Sequence, residues 1–139
     1  MKPAPPLSLF ACFDPAHDAD LHALLARQCL APGSMLSVVD WSREELPHDS
    51  WEERLRERVS RVDAVVVICG EHTDNATNVS RELGIVQEQG KPYVLLWGRR
   101  AGACTRPLGA RNDDCFYTWI WDILSAQIQL AVRKSDAKH

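Results

Sequence analysis

Apolar positions along the chain fall into short unbroken runs, separated by stretches in which they recur at helical spacing. The first run, Leu7 to Cys12, reads as a short buried strand. Phe13 to Asp18 is a loop punctuated by Pro15. Asp18 then stands where a helix would be capped, and Leu21, Leu24, Leu25 and Cys29 follow at helical spacing until Ala31-Pro32-Gly33 ends it. Met35 to Val39 reads as the second strand and Asp40 to Asp49 as a polar loop. Ser50 can cap the next helix, with Glu53 at the capping-box spacing and Trp51, Leu55, Val59 and Val62 on the inner face. Ala64 to Cys69 is apolar throughout and rich in valine, as a central parallel strand covered on both faces would be. After the polar turn Gly70 to Thr77, a helix is predicted from about Asn78 to Gln89, its buried stripe Val79, Leu83 and Val86, stopped by Gly90. Tyr93 to Trp97 reads as the fourth strand, and Gly98 to Asp114 as a long irregular loop. Phe116 to Val132 reads as an apolar closing helix, with room for a short edge strand before it. Residues 1–6 and 133–139 read as flexible ends.

Strict alternation of strand and helix predicts an α/β domain with parallel strands, right-handed crossovers and helices on both faces of the sheet. The expected architecture is a flavodoxin-like three-layer sandwich of four to five strands in the order 2-1-3-4, with a fifth at the edge. The chain of 139 residues suits one domain over its whole length, 1–139. Sheets of this kind bind ligands outside the carboxyl ends of the strands, where the strand order reverses. Here that point lies between the strands ending at Cys12 and Cys69.

Composition narrows the chemistry. The formal net charge of -3 argues against a general nucleic-acid binder, which carries a basic excess. Five cysteines, an odd number without zinc or redox spacing, fit a reducing cytoplasm better than a disulfide framework. The start of the chain has no signal-peptide pattern, and no apolar stretch approaches the roughly 20 residues that cross a bilayer. His17, His22 and His48 show no metal-ligand spacing, so no metal is expected. A glycine-rich dinucleotide fingerprint, a Walker A loop and a nucleophile elbow are all missing. A phosphoryl-accepting receiver would want an aspartate where Cys69 stands.

Four loops are expected to converge on the carboxyl-end rim. They bring Phe13, Asp14 and His17, then Asp40, Trp41 and Ser42, then His72, Thr73 and Asn75, then Gly98, Arg99 and Arg100. At about 100° per residue, Glu82 lies roughly 60° from Val79 and about 40° from Val86, bordering the buried stripe close to the rim. The helix dipole favours its ionised form and burial opposes it. Spacing alone leaves two readings open, an acid/base or electrostatic group and a glutamate that merely complements the dipole. His72 could carry a proton or be an ordinary loop histidine; Trp41 could stack on a base. Arg99 could hold a phosphate or be part of an exposed basic loop.

The blocks Asp40-Trp41-Ser42, Ser50-Trp51, Arg61-Val62-Asp63-Ala64-Val65-Val66-Val67-Ile68, Thr73, Val79, Arg81-Glu82-Leu83 and Gly90-Lys91-Pro92 together resemble the TIR-like proteins of bacterial Thoeris-type defence systems. Phe10 to Asp14 with Asp18, and Trp119-Ile120-Trp121 with Ile123, are similar to that family's first strand and last helix, so the likeness covers roughly residues 7 to 130. The chain departs from the family where an aromatic residue is usual and Asn78 stands, and where an alanine is usual and Val86 stands.

The resemblance implies that Glu82 acts on the N-glycosidic bond between nicotinamide and ribose in NAD, which would be substrate rather than cofactor. Phe13, Asp14, Asp40, Trp41, His72, Thr73, Asn75 and Arg99 would line the nucleotide site. It also implies an ADP-ribose or cyclic ADP-ribose-type signal, anti-phage defence, and self-association or a partner effector protein. Two alternatives stand beside it. One is a non-catalytic interaction module. The other is a nucleoside 2-deoxyribosyltransferase-like enzyme, which the stretches Asp63 to Val67, Arg81 to Gly84 and Gly90 to Pro92 also resemble.

Overall fold

A computed structural model describes residues 5–39 and 50–137. The strands are β1 (Leu7–Cys12), β2 (Leu36–Val38), β3 (Ala64–Cys69), β4 (Tyr93–Trp97) and β5 (Phe116–Thr118), and the helices are α1 (Ala19–Cys29), α2 (Trp51–Ser60), α3 (Thr77–Glu88) and α4 (Trp121–Ala137). All strands are parallel in one sheet of order β2-β1-β3-β4-β5, as the alternation predicts.

Each face of the sheet has its own core. Leu9, Ala11, Val66, Ile68 and Leu96 pack against Leu21 and Leu25 of α1 and Leu124 and Ile128 of α4. Val65, Val67 and Leu95 pack against Leu55 and Val59 of α2 and Val79, Leu83 and Val86 of α3. Every residue of β3 is therefore buried, which explains why it shows no alternation in sequence. At about 25 cal/mol per Å2 of apolar surface, each buried valine or isoleucine contributes about 1.5–3 kcal/mol, so this strand anchors both layers.

Local signals fix most boundaries. The Ser50 side chain accepts a hydrogen bond from the Glu53 backbone N–H at 3.1 Å, capping α2. Gly90 ends α3 at φ +65°, a backbone conformation that costs a side-chain-bearing residue energy. The closing segment differs from expectation. Phe116–Thr118 form the edge strand and the helix starts at Trp121. It also runs on to Ala137, so residues 133–137, expected to be part of a loose end, are helical. Leu24, expected on the inner face of α1, stays 37% exposed. Among the described residues no helix is long and apolar enough to cross a membrane.

Candidate functional site

Glu82 sits in the second turn of α3, directly beyond the turn that begins at Thr77. It is half-buried, and its charge is felt by the buried Cys12 thiol at the end of β1. Burial pushes the Glu82 carboxyl up to about 7, opposed by a hydrogen bond from the Asn78 side chain. The helix dipole fades beyond the first turn and is worth at most about 1 kcal/mol at exposed positions, whereas a shift of this size corresponds to roughly 3 kcal/mol. Desolvation wins. Among the described residues Glu82 forms no ion pair. It is a carboxylate held near the protein interior with no neutralising cation among the described residues, its ionisation moved toward neutral pH by burial.

Asn78 lies one helical turn before Glu82 and donates its amide N–H to the Phe13 carbonyl at 3.0 Å. This contact fastens the first turn of α3 to the loop after β1. The Phe13 ring stacks on His22, with centroids 4.4 Å apart.

A second cluster occupies the same rim. His17, Asp18, Glu71, His72 and Arg99 line a cavity of about 230 Å3. Asp14, buried, accepts from the Ala16 N–H at 3.0 Å and meets the His17 Nδ1 at 2.7 Å. Burial alone would raise its pKa; the bonds from His17 and Ala16, with the fields of His17 and His72, bring it below its ordinary value. The rings of His17 and His72 lie 4.1 Å apart.

Asp18 is only 1% exposed. It stands at the N-cap position of α1 as predicted, but its side chain makes no capping bond. It turns instead toward the end of β3 and accepts from the Arg99 Nη2 at 3.1 Å. Its second oxygen has no hydrogen-bond partner among the described residues. Burial raises the Asp18 pKa, Arg99 works against the rise, and Asp14 and Asp20 add to it. Gly70 makes the arrangement possible, because a side chain there would run into this carboxylate.

Arg99 also donates to both Asp20 oxygens at 2.8 Å and to the His17 carbonyl at 2.8 Å. Its guanidinium is engaged in joining the loop after β4 to α1. Thr73 is fully buried, and its hydroxyl accepts the Gly70 N–H at 2.8 Å, closing the turn after β3. Asn75 is exposed, its backbone N–H bound to the His72 carbonyl at 3.0 Å. Of the residues read from sequence, His72 and Arg99 thus line one cavity, Asp14 meets it through His17, and Phe13 is bonded to Asn78, one turn before Glu82. Asp40 and Trp41 lie outside the described residues. Sequence reading missed Asn78 as a partner of Glu82 and gave Asp18 only a capping role. The four-residue separation of Asn78 and Glu82 was the available signal, since such pairs face each other on a helix. Among the described residues no group of three His, Cys, Asp or Glu side chains could hold a metal ion.

No known protein-family model matches the chain, and no curated protein matches it. Among solved structures it is similar to the TIR domain of the Toll-related receptor TRR-2 from Hydra magnipapillata, at 14% identity over 87% of this chain and 97% of that domain, with a TM-score of 0.67. It is also similar to a prokaryotic SEFIR domain, at 19% identity over 91% of this chain and 96% of that one, with a TM-score of 0.54. The likeness is one of fold: the chain has a TIR-like α/β fold.

Proposed function

We propose that the protein cleaves the nicotinamide–ribose bond of NAD, with Glu82 as the catalytic carboxylate. The observation that carries the reading is the state of Glu82: half-buried near the carboxyl end of β1, free of any ion pair among the described residues, and titrating at about 7. An unneutralised carboxylate in a poorly solvated place has electrostatic work available to it, and sites of chemistry concentrate such groups. The TIR-like fold supports the reading, because sheets of this kind take ligands at the carboxyl ends of their strands, the edge at which α3 begins.

The step follows from the bond. The C1′–N bond breaks, and its electron pair passes to the nicotinamide ring nitrogen, which becomes neutral. No general acid is needed. Positive charge develops on the ribose, and ionised Glu82 stabilises it. Water then attacks C1′ and releases a proton to give ADP-ribose; attack by a nucleophile of the same molecule would give a cyclised product. A product of either kind would serve as a signal, with anti-phage defence as the setting the motif resemblance suggests.

Incubating the protein with NAD tests this. Nicotinamide release by the wild type and its loss in Glu82→Gln, with the fold intact, is the expected result. Equal release by the variant excludes Glu82. Exchange between nucleobases without NAD turnover would mark deoxyribosyltransferase chemistry instead.

A self-associating module is the second reading. It is favoured by the exposed apolar side chains Leu30 (84%), Leu108 (67%) and Met35 (42%). Concentration-dependent mass by light scattering, without turnover of any nucleotide, would support it.

A further inference from the structure

Resting on the proposed NAD chemistry, we propose that Asp14 and His17 form a general-base dyad: Asp14 orients the imidazole, and His17 Nε2 takes the proton from the water or hydroxyl that attacks C1′.

The geometry fixes the tautomer. Asp14 Oδ2 lies 2.7 Å from His17 Nδ1, and Asp14 Oδ1 accepts the Ala16 N–H at 3.0 Å. The Asp14 carboxyl is held below its ordinary range, so at neutral pH it is a carboxylate that only accepts. Nδ1 therefore carries the hydrogen, and the neutral ring keeps its lone pair on Nε2. The two ring nitrogens diverge, so Nε2 turns away from the buried Asp14. The His17 side chain is 50% exposed and lines the cavity of about 230 Å3 with Asp18, Glu71, His72 and Arg99. Among the described residues Nε2 makes no hydrogen bond.

The ring is held before any substrate arrives. The Asp14 carbonyl accepts from the His17 and Asp18 N–H groups at 3.3 and 2.8 Å, closing the turn that contains Pro15. Arg99 donates to the His17 carbonyl at 2.8 Å, and the His72 ring lies 4.1 Å from the imidazole, tilted by 30°. Phe13, beside Asp14, is bonded through its carbonyl to Asn78, one turn before Glu82. One loop thus carries the dyad and is fastened to the helix that carries the carboxylate. As the attacking oxygen bonds to C1′, its proton passes to Nε2, and the C1′–N electron pair leaves with nicotinamide. Asp14 stabilises the imidazolium until it returns the proton to solvent.

The test combines imidazole nitrogen NMR with nicotinamide release in the wild type, Asp14→Asn and His17→Gln. The wild-type His17 ring is expected to carry its hydrogen on Nδ1 at about pH 8. In Asp14→Asn the Ala16 N–H keeps the amide oxygen, so the NH2 group faces Nδ1 and the ring hydrogen moves to Nε2. Both variants should lose about 100-fold in kcat, with KM for NAD changed less than about twofold. Should Asp14→Asn not fold, the wild-type tautomer and His17→Gln, altered at a half-exposed side chain, decide the matter. A ring hydrogen on Nε2 in the wild type overturns the dyad. So does a kcat for His17→Gln within about threefold of wild type, a result that leaves the Glu82 reading standing. A wild type that releases no nicotinamide removes the Glu82 reading, and reversal of the tautomer in Asp14→Asn, or its absence, then upholds or overturns the pairing by itself.

Discussion

The Arg99 guanidinium reaches the buried carboxylate of Asp18 at 3.1 Å from 81 residues further along the chain. This pair, with Asp20 and the His17 carbonyl, pins the loop after β4 to the start of α1. It fixes the rim on one side of the sheet, while the Asn78–Phe13 bond fixes it on the other.

Removing the cation from this pair exposes the cost of burying Asp18. Arg99→Met is expected to lose roughly 2–4 kcal/mol, less than for a wholly buried pair, because Arg99 keeps some contact with solvent. The pH dependence has a definite sign. The folded-state pKa of Asp18 already lies above 3.8, so its stabilising contribution is complete below that pH and is lost as pH rises through the folded value. Without Arg99 the folded value rises further. Thermal melts should therefore show a larger deficit for Arg99→Met at pH 8 than at pH 5.

Gly70 and Asp18 should be energetically coupled. Gly70→Ala drives a methyl group into a carboxylate that Arg99 holds in place, at an expected cost of about 1–3 kcal/mol. In an Asp18→Ala background most of that cost should vanish. A double-mutant cycle in urea measures the difference, and simple additivity would show that the two do not compete for the space.

Asp14 predicts the opposite pH behaviour from Asp18. Its folded-state pKa is lowered, because its bonds to His17 and Ala16 outweigh burial. Its contribution is present above its ordinary value of 3.8 and is lost as pH falls through the lowered value. Asp14→Asn should flatten the acid side of a urea-midpoint profile between about pH 5 and 3.

Glu82→Gln should stabilise the protein while abolishing turnover. The Glu82 carboxyl is raised from 4.5 to about 7, so its contribution is complete below 4.5 and is lost as pH rises through 7. A neutral amide has no such loss. At pH 8 the variant is expected to be more stable by about 1–3 kcal/mol, and the advantage should shrink toward pH 4.5. Urea denaturation across this range checks it. A variant less stable at pH 8 would mean that Glu82 is held by favourable charge interactions and is architectural.

Much of the fold was legible because this sheet is buried on both faces. The runs Leu7–Cys12, Ala64–Cys69 and Tyr93–Trp97 stand between polar punctuation, and the strands begin and end where those runs do. The closing segment was harder to divide, since Phe116, Tyr117 and Thr118 suit either the edge of a sheet or the start of an apolar helix. Its other end was hidden by polarity, because α4 continues through Arg133 and Lys134 as a helix needing no apolar side chain there. The half-buried position of Glu82 was legible from its angle to the buried stripe. The pairing of Asp18 with Arg99 could not, because nothing local in sequence joins residues 81 positions apart. Asp18 was misleading for a further reason: an aspartate before a helix usually caps it, and here tertiary structure takes the side chain elsewhere. Arg99 read as either a phosphate holder or part of an exposed basic loop, and in the structure three neighbouring acceptors engage it.

The central claim is that the ionised form of one half-buried glutamate does the chemistry. Nicotinamide release from NAD, measured from pH 5 to 9, tests it most directly. The predicted kcat/KM rises with pH, with a midpoint of about 7, and release vanishes in Glu82→Gln at every pH. Release that is flat across that range, or that survives in Glu82→Gln, would contradict the account.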